Sequence, residues 1–302
     1  MLSLRKIVFG MFGKIAFHKS RKPHIFKNAF GIFGRAICAV SSAFAGILLF
    51  GFGSFATLNA GEIRVGATPV PAAEILEFAK PLLEKRGVKM SVVSFTDYIT
   101  PDIALGEKSL DATLHQHKPF MEKMARDRKL DLVAISPIYI IPLGFYSKKF
   151  KSVESLPDGA TIAIPNDPTN YSRALILLHD NGVITLKNPQ NLASTEADII
   201  KNPRKFRFKP VEAATLPRVL DGIDAAVING NYALQAKMSL KNSFFHESEK
   251  SAYVNVLVAR SDNAASKDIA TLKEVLLGDE VAGFILTKYK GEILPVKMPA
   301  KK

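Results

Sequence analysis

The 302-residue chain carries 41 Lys and Arg against 28 Asp and Glu, a formal charge of +13 that would suit a polyanionic partner. Eight of those cations fall in the first sixty residues, which hold no acid; the remainder carries 33 basic against 28 acidic residues, and nucleic acid is not implied as a partner. The only cysteine, Cys38, leaves no internal disulfide to build and places no thiol in the rest of the chain, so cysteine catalysis is excluded there.

The chain begins like an exported one. Its basic stretch from Arg5 to Arg35 precedes 25 uncharged residues, Ala36 to Ala60, with Phe44-Ala45-Gly46-Ile47-Leu48-Leu49-Phe50 at their centre. That order is the n-region and h-region of a signal sequence, and Asn59-Ala60 before Gly61 is a tolerable cleavage site. Residues 1–60 are therefore expected to be an export signal, with a periplasmic product, or a membrane-attached one if the span stays uncleaved. Cys38 lies ahead of the hydrophobic centre rather than at its end, so a lipid anchor is not expected.

Apolar segments then alternate with helical patterns. Ile63 to Val65, Val92 to Phe95, Leu110 to His115, Leu132 to Ile135, Thr161 to Ile164, Ala225 to Ile228 and Val254 to Val258 read as strands. Between the first two, Ile75, Leu76, Ala79, Leu82 and Leu83 form one apolar helical stripe, which Pro81 should bend. Another helix falls near Pro101 to Leu105. Strands alternating with helices imply a parallel sheet covered by helices. Tyr139 to Tyr146 and Tyr253 to Arg260 are extended and bracket a middle section, as crossings between two lobes would. The basic runs Lys148-Lys149-Phe150-Lys151 and Arg204-Lys205-Phe206-Arg207 read as solvated faces.

The stretch from Ile162 to Arg173 reads as strand, turn and helix start, with Thr169 or Asn170 as N-cap and Gly182 as the C′ stop. An arginine in a first helical turn opposes the macrodipole, whereas an anion gains there from free N–H groups. Arg173 is thus a candidate for a bound carboxylate, against the alternative of a pair with a neighbouring acid. Other chemistries find little support. Gly66-Ala67-Thr68-Pro69 lacks the ending of a phosphate loop, no nucleophile elbow occurs after the leader, and no specific pair of acids suggests glycosidic chemistry. His115-x-His117 places two imidazoles on one face of a strand, but further ligands are wanting; a metal-dependent hydrolase using both is the enzyme alternative.

Four segments carry a resemblance: Gly66-Ala67-Thr68-Pro69-Val70-Pro71, Gln116-His117-Lys118-Pro119, Pro165 to Asn170 with Arg173, and Ala226-Val227-Ile228-Asn229-Gly230-Asn231-Tyr232-Ala233. In this order and spacing, over Glu62 to Pro295, the chain resembles the NlpA/MetQ family of methionine-binding proteins that feed ABC importers. The resemblance implies an α/β, two-lobed type II periplasmic-binding-protein fold, each lobe a mixed sheet flanked by helices. Residues 61–145 would open the first lobe, 146–251 form the second, and 252–302 return to the first with C-terminal helices. It also implies a monomer that binds methionine, or another amino acid or short peptide, and delivers it to a permease and its ATPase at the inner membrane. No cofactor, metal or catalysis is expected. By that resemblance Arg173 and Asn229 hold the α-groups, while Tyr98, His115, His117 and Phe120 line the side-chain slot. Phe120 and His115 depart from the tyrosine and phenylalanine usual in the family, which bears on methionine specificity.

Overall fold

The computed structural model describes residues 61–297. A first sheet has six strands. It contains β1 (Gly61–Ala67), β2 (Val88–Ser94), β3 (Ala112–His117), β4 (Leu132–Ile140) and, returning from the far end of the chain, two more. A second sheet is built from β5 (Gly144–Tyr146), β6 (Thr161–Pro165), β9 (Arg207–Val211), β10 (Ala225–Ile228) and β11 (Phe245–His246), with β7 (Thr185–Leu186) and β8 (Ile199–Lys201) forming a small ribbon apart. The chain then re-enters the first sheet as β12 (Asn255–Arg260) and β13 (Leu294–Pro295).

The sheet orders are β13-β4-β12-β3-β1-β2 and β11-β5-β10-β6-β9. In each, one side of the sheet is parallel and the side nearest the crossings is antiparallel: β1 pairs with β2 and β3 in parallel, while β12 inserts antiparallel between β3 and β4. The result is the two-lobed arrangement of mixed sheets expected from the sequence. Membership changes twice, across Ile141 to Leu143 and again between His246 and Asn255. Tyr253 to Arg260 is therefore mostly strand β12 in the first sheet, and the second crossing lies just before it.

Eight α-helices flank the sheets among the described residues: α1 (Glu74–Glu84), α2 (Thr100–Gly106), α3 (Lys118–Arg128), α4 (Pro168–Asp180), α5 (Leu216–Val219), α6 (Gly230–Gln235), α7 (Lys267–Leu276) and α8 (Asp279–Tyr289). The stripe read in α1 is core, with Ile75, Leu76, Ala79 and Leu83 buried against Val65, Leu114 and Leu257 of the first sheet. In the second lobe Ile162, Ile164 and Val227 meet Leu175 and Leu178 of α4. Burying one such aliphatic side chain contributes roughly 1.5–3 kcal/mol, and the two cores hold the strand ends in place.

Helix α4 differs from its expectation at the start. Its N-cap is Asp167, whose carboxylate accepts from the Asn170 N–H at 2.9 Å, and Pro168 is the first helical residue. Proline is suited to that position because its fixed φ is helical and its missing N–H would be unpaired there anyway. Thr169 and Asn170 consequently lie inside the helix and Arg173 is its sixth residue, in the second turn. The dipole argument for an anion at Arg173 loses its force. At the other end Gly182 (φ 73°) follows Asn181, with Gly182 N–H donating to His179 O and Val183 N–H to Leu178 O, both at 2.9 Å. That is a Schellman stop at the expected glycine.

Candidate functional site

The loops at the carboxyl ends of the parallel strands meet between the lobes. All six predicted residues, Tyr98, His115, His117, Phe120, Arg173 and Asn229, line one cavity there, together with Thr68, Gln116, Asn170, Asn231 and Asn255. Ligands of open α/β sheets occupy this position for the same geometrical reason. Side-chain bonds span the cleft: Tyr98 donates to Asn231 Oδ1 at 2.5 Å, and Tyr232 donates to the Thr96 carbonyl at 3.0 Å. Gly230 permits the close approach of the second lobe to the first crossing, since a Cβ there would sit 2.5 Å from Ile141 Cγ1 and Pro142 O.

Arg173 is 3% exposed and mostly committed. Its Nε and Nη2 donate to the two oxygens of Glu247 at 2.7 and 2.5 Å, Nη2 also reaches the Ile141 carbonyl at 3.1 Å, and the Tyr253 ring centre lies 4.7 Å from the guanidinium carbon. Burial pulls the arginine pKa down, and the Glu247 charge more than restores it, so the group is held firmly cationic. The sequence alternative of an acid partner is thus realised, on one edge of the guanidinium. The other nitrogen, Nη1, is left with only a long 3.5 Å contact to Asn170 Oδ1. Arg173 and Glu247 together are neutral, a suitable surrounding for a zwitterion rather than for a lone anion.

Asn170 joins the lobes. Its Oδ1 accepts from His117 Nε2 at 3.1 Å and from Asn229 Nδ2 at 2.9 Å, while its own amide donates to both oxygens of Asp167 at 3.1 Å. His117 is accordingly used at both nitrogens: Nδ1 caps α3 by accepting from the Phe120 N–H at 3.2 Å, which fixes the proton on Nε2. Burial, and then the nearby Arg173 charge, push its pKa down to about 3. His115 is different. Its Nε2 lies 3.1 Å from the Tyr98 carbonyl, which can only accept, so Nε2 is the donor; burial lowers this imidazole to about 4 and it is neutral. Behind it the fully buried Asp102 stands 4.0 Å away and is raised to about 7 by burial, with the Gln116 amide bond, at 2.5 Å, opposing.

The aromatic wall is formed by Tyr98 and Phe120, ring centres 5.8 Å apart in an edge-on arrangement, with Tyr232 packed 5.0 Å from the Tyr98 ring. Edges and faces of this kind suit thioether sulfur as well as methylene.

The NlpA lipoprotein family model matches residues 63–297. The chain belongs to that family. Among its relatives, the D-methionine-binding lipoprotein MetQ of Escherichia coli O157:H7 is 37% identical over 240 residues, 76% of this chain and 89% of that one. Lipoprotein 28 of Escherichia coli K12 is 38% identical over 255 residues, covering 83% and 93%. The structure of a nutrient binding protein from Burkholderia cenocepacia bound to methionine superposes with a TM-score of 0.75 at 38% identity, over 78% of this chain and 99% of that one. The two Escherichia coli relatives are named as lipoproteins, so the expectation of no lipid anchor loses its support; Cys38 and the rest of residues 1–60 lie outside the described residues. No helix among the described residues is long and apolar enough to cross a membrane.

The hydrolase alternative meets a geometrical obstacle within this family fold. A metal at His117 would have to break either the α3 cap or the bond to Asn170. Among the described residues no group of three or more His, Cys, Asp or Glu is placed to hold an ion. Sequence reasoning missed Asn170, Asn231 and Glu247 as site residues. Asn170 lies one helical turn before Arg173, so local spacing could have found it; Asn231 stands two residues after Asn229 in the same strand-end segment. Glu247, 74 positions from its partner, gave no local signal.

Proposed function

We propose that this protein is an exported, non-catalytic receptor that captures an amino acid, methionine foremost, between its two lobes and hands it to an ABC permease and its ATPase. The lobes are taken as 61–145 with 252–302, and 146–251; sheet membership supports this division except that β5 (Gly144–Tyr146) already belongs to the second sheet. One observation carries the reading: the cavity is lined both by hydrogen-bonding groups of both kinds, Arg173 and Asn229, and by the aromatic rings of Tyr98 and Phe120. Arg173 Nη1 binds the α-carboxylate there, and the unpartnered Oδ1 of Asn229 accepts from the α-ammonium. Tyr98, Phe120 and His115 enclose the side chain, and His117 holds the closed form through Asn170 rather than touching the ligand by its nitrogens. The methionine-bound relative and the methionine-binding names in the family support the choice of ligand. The receptor acts as a monomer.

The test is titration calorimetry with a panel of L- and D-amino acids, on protein stripped of carried-over ligand by unfolding. One-to-one binding of methionine is expected. Failure of every amino acid in the panel would overturn the reading.

A further inference from the structure

The neutral His115 ring carries an acceptor that nothing satisfies. With its Nε2 proton given to the Tyr98 carbonyl, Nδ1 is a bare lone pair; it is buried and has no partner among the described residues. Across Tyr98 the position is complementary. The Tyr98 hydroxyl occupies Asn231 Oδ1, which leaves Asn231 Nδ2 a buried donor, also unpartnered. Both residues line the cavity, and Tyr98 holds each of them, one through its carbonyl and the other through its hydroxyl. One free acceptor and one free donor, on two side chains that line the same cavity, are the partners that the N–H and C=O of a primary carboxamide require.

A thioether can serve neither partner well, because sulfur is a weak acceptor and has no proton to give. Glutamine, by contrast, has the same chain length as methionine and ends in the group that the two atoms complement. Resting on the amino-acid receptor reading above, we propose that the side-chain end of the cleft recognises the primary carboxamide of glutamine, and that His115 is the residue that determines this specificity. Glutamine is then a ligand beside methionine, favoured over a hydrocarbon side chain of the same length. The site's preference follows from the cost of leaving buried polar atoms unpaired, which a hydroxyl or amide removes and a hydrocarbon does not.

Calorimetry on the ligand-stripped full chain with L-glutamine, L-methionine and L-norleucine decides it, with His115→Phe measured beside wild type. Wild type is expected to bind glutamine about tenfold or more tightly than norleucine, its apolar counterpart, and His115→Phe to erase or invert that ratio. Should norleucine and methionine bind tightly while glutamine does not, the carboxamide assignment is overturned and the receptor reading stands. A glutamine preference that survives in a folded His115→Phe protein overturns the role of His115. No binding of any of the three overturns the assignment together with the receptor reading beneath it. Because the wild-type glutamine-to-norleucine ratio is itself diagnostic, the inference remains open to refutation even if His115→Phe does not fold.

Discussion

Glu247→Gln separates the structural part of Arg173 from the ligand-binding part proposed for it. The carboxylate is 10% exposed at its side chain, holds two guanidinium nitrogens at 2.7 and 2.5 Å, and accepts the Leu143 N–H at 2.9 Å. Substituting the amide keeps the shape and one acceptor, but leaves a buried cation without its counter-charge. Breaking a buried pair in this way costs about 3–5 kcal/mol. For a domain of this size a loss of 1 kcal/mol lowers the melting temperature by roughly 2–4 °C, so a fall of about 6–20 °C is expected. A ligand carboxylate then supplies part of the missing charge. The stabilisation by saturating L-methionine should accordingly be larger in Glu247→Gln than in wild type. Differential scanning calorimetry of stripped protein, with and without methionine, reads both effects. A drop below about 1 kcal/mol, or a ligand-induced shift no larger than that of wild type, would refute the ion-pair reasoning.

Removing the cation itself, as Arg173→Ala, should destabilise the fold through the orphaned Glu247 and also weaken methionine by tenfold or more, since a charge-assisted bond contributes about 1.5–3 kcal/mol; calorimetry at a temperature where the variant is folded checks it. Methioninol, whose alcohol replaces the carboxylate, should bind wild type correspondingly poorly, and equal binding of the two would remove the anion from Arg173. Stability should also fall on acidification. His115 and His117, lowered to about 4 and 3 in the folded chain from an ordinary 6.5, contribute stability that is present above 6.5 and lost as pH falls through those values. Asp102, raised to about 7 from 3.8, has the opposite sign: its contribution is full below 3.8 and lost as pH rises through 7. Between pH 6.5 and 4 two protons favour the unfolded chain and one the folded, a net slope of about 1.4 kcal/mol per pH unit; Asp102→Asn should roughly double it in urea unfolding, and an unchanged slope would count against the buried carboxyl. Gly230→Ala should cost about 1–3 kcal/mol by driving a methyl group against Ile141 and Pro142, measured the same way.

What could be read from the sequence were features with a local cause. Strands β6 and β10 are short apolar runs, buried on both faces, and the helix after β6 stops at Gly182 because a left-handed residue is needed there. The four loops that form the cavity were legible because each follows a strand end. Local reasoning failed where two signals competed at one place. Asn-Asp-Pro read as a turn, but the proline is the first helical residue and the aspartate its cap, so Arg173 moved from the first turn to the second. Pro81 lies inside α1 as read, exposed, with its carbonyl still accepting from Lys85 beyond the last helical residue Glu84. Pairings across long separations had no local trace: Arg173 with Glu247, His117 with Asn170, and His115 with Asp102 arise only when the two sheets and their crossings assemble. The character of each histidine followed from these partners, which is why two imidazoles two residues apart have different work.

Closure of the cleft is the point on which the function turns, because the cavity is lined from both lobes: Tyr98, His115, His117 and Phe120 from one, Arg173 and Asn229 from the other. A molecule that binds only the closed form must shift the population toward it. Small-angle X-ray scattering of the stripped protein, titrated with L-methionine, measures this directly. The radius of gyration should fall and saturate at one equivalent. Tight binding with unchanged scattering would place methionine outside the cleft and return these six residues to the core.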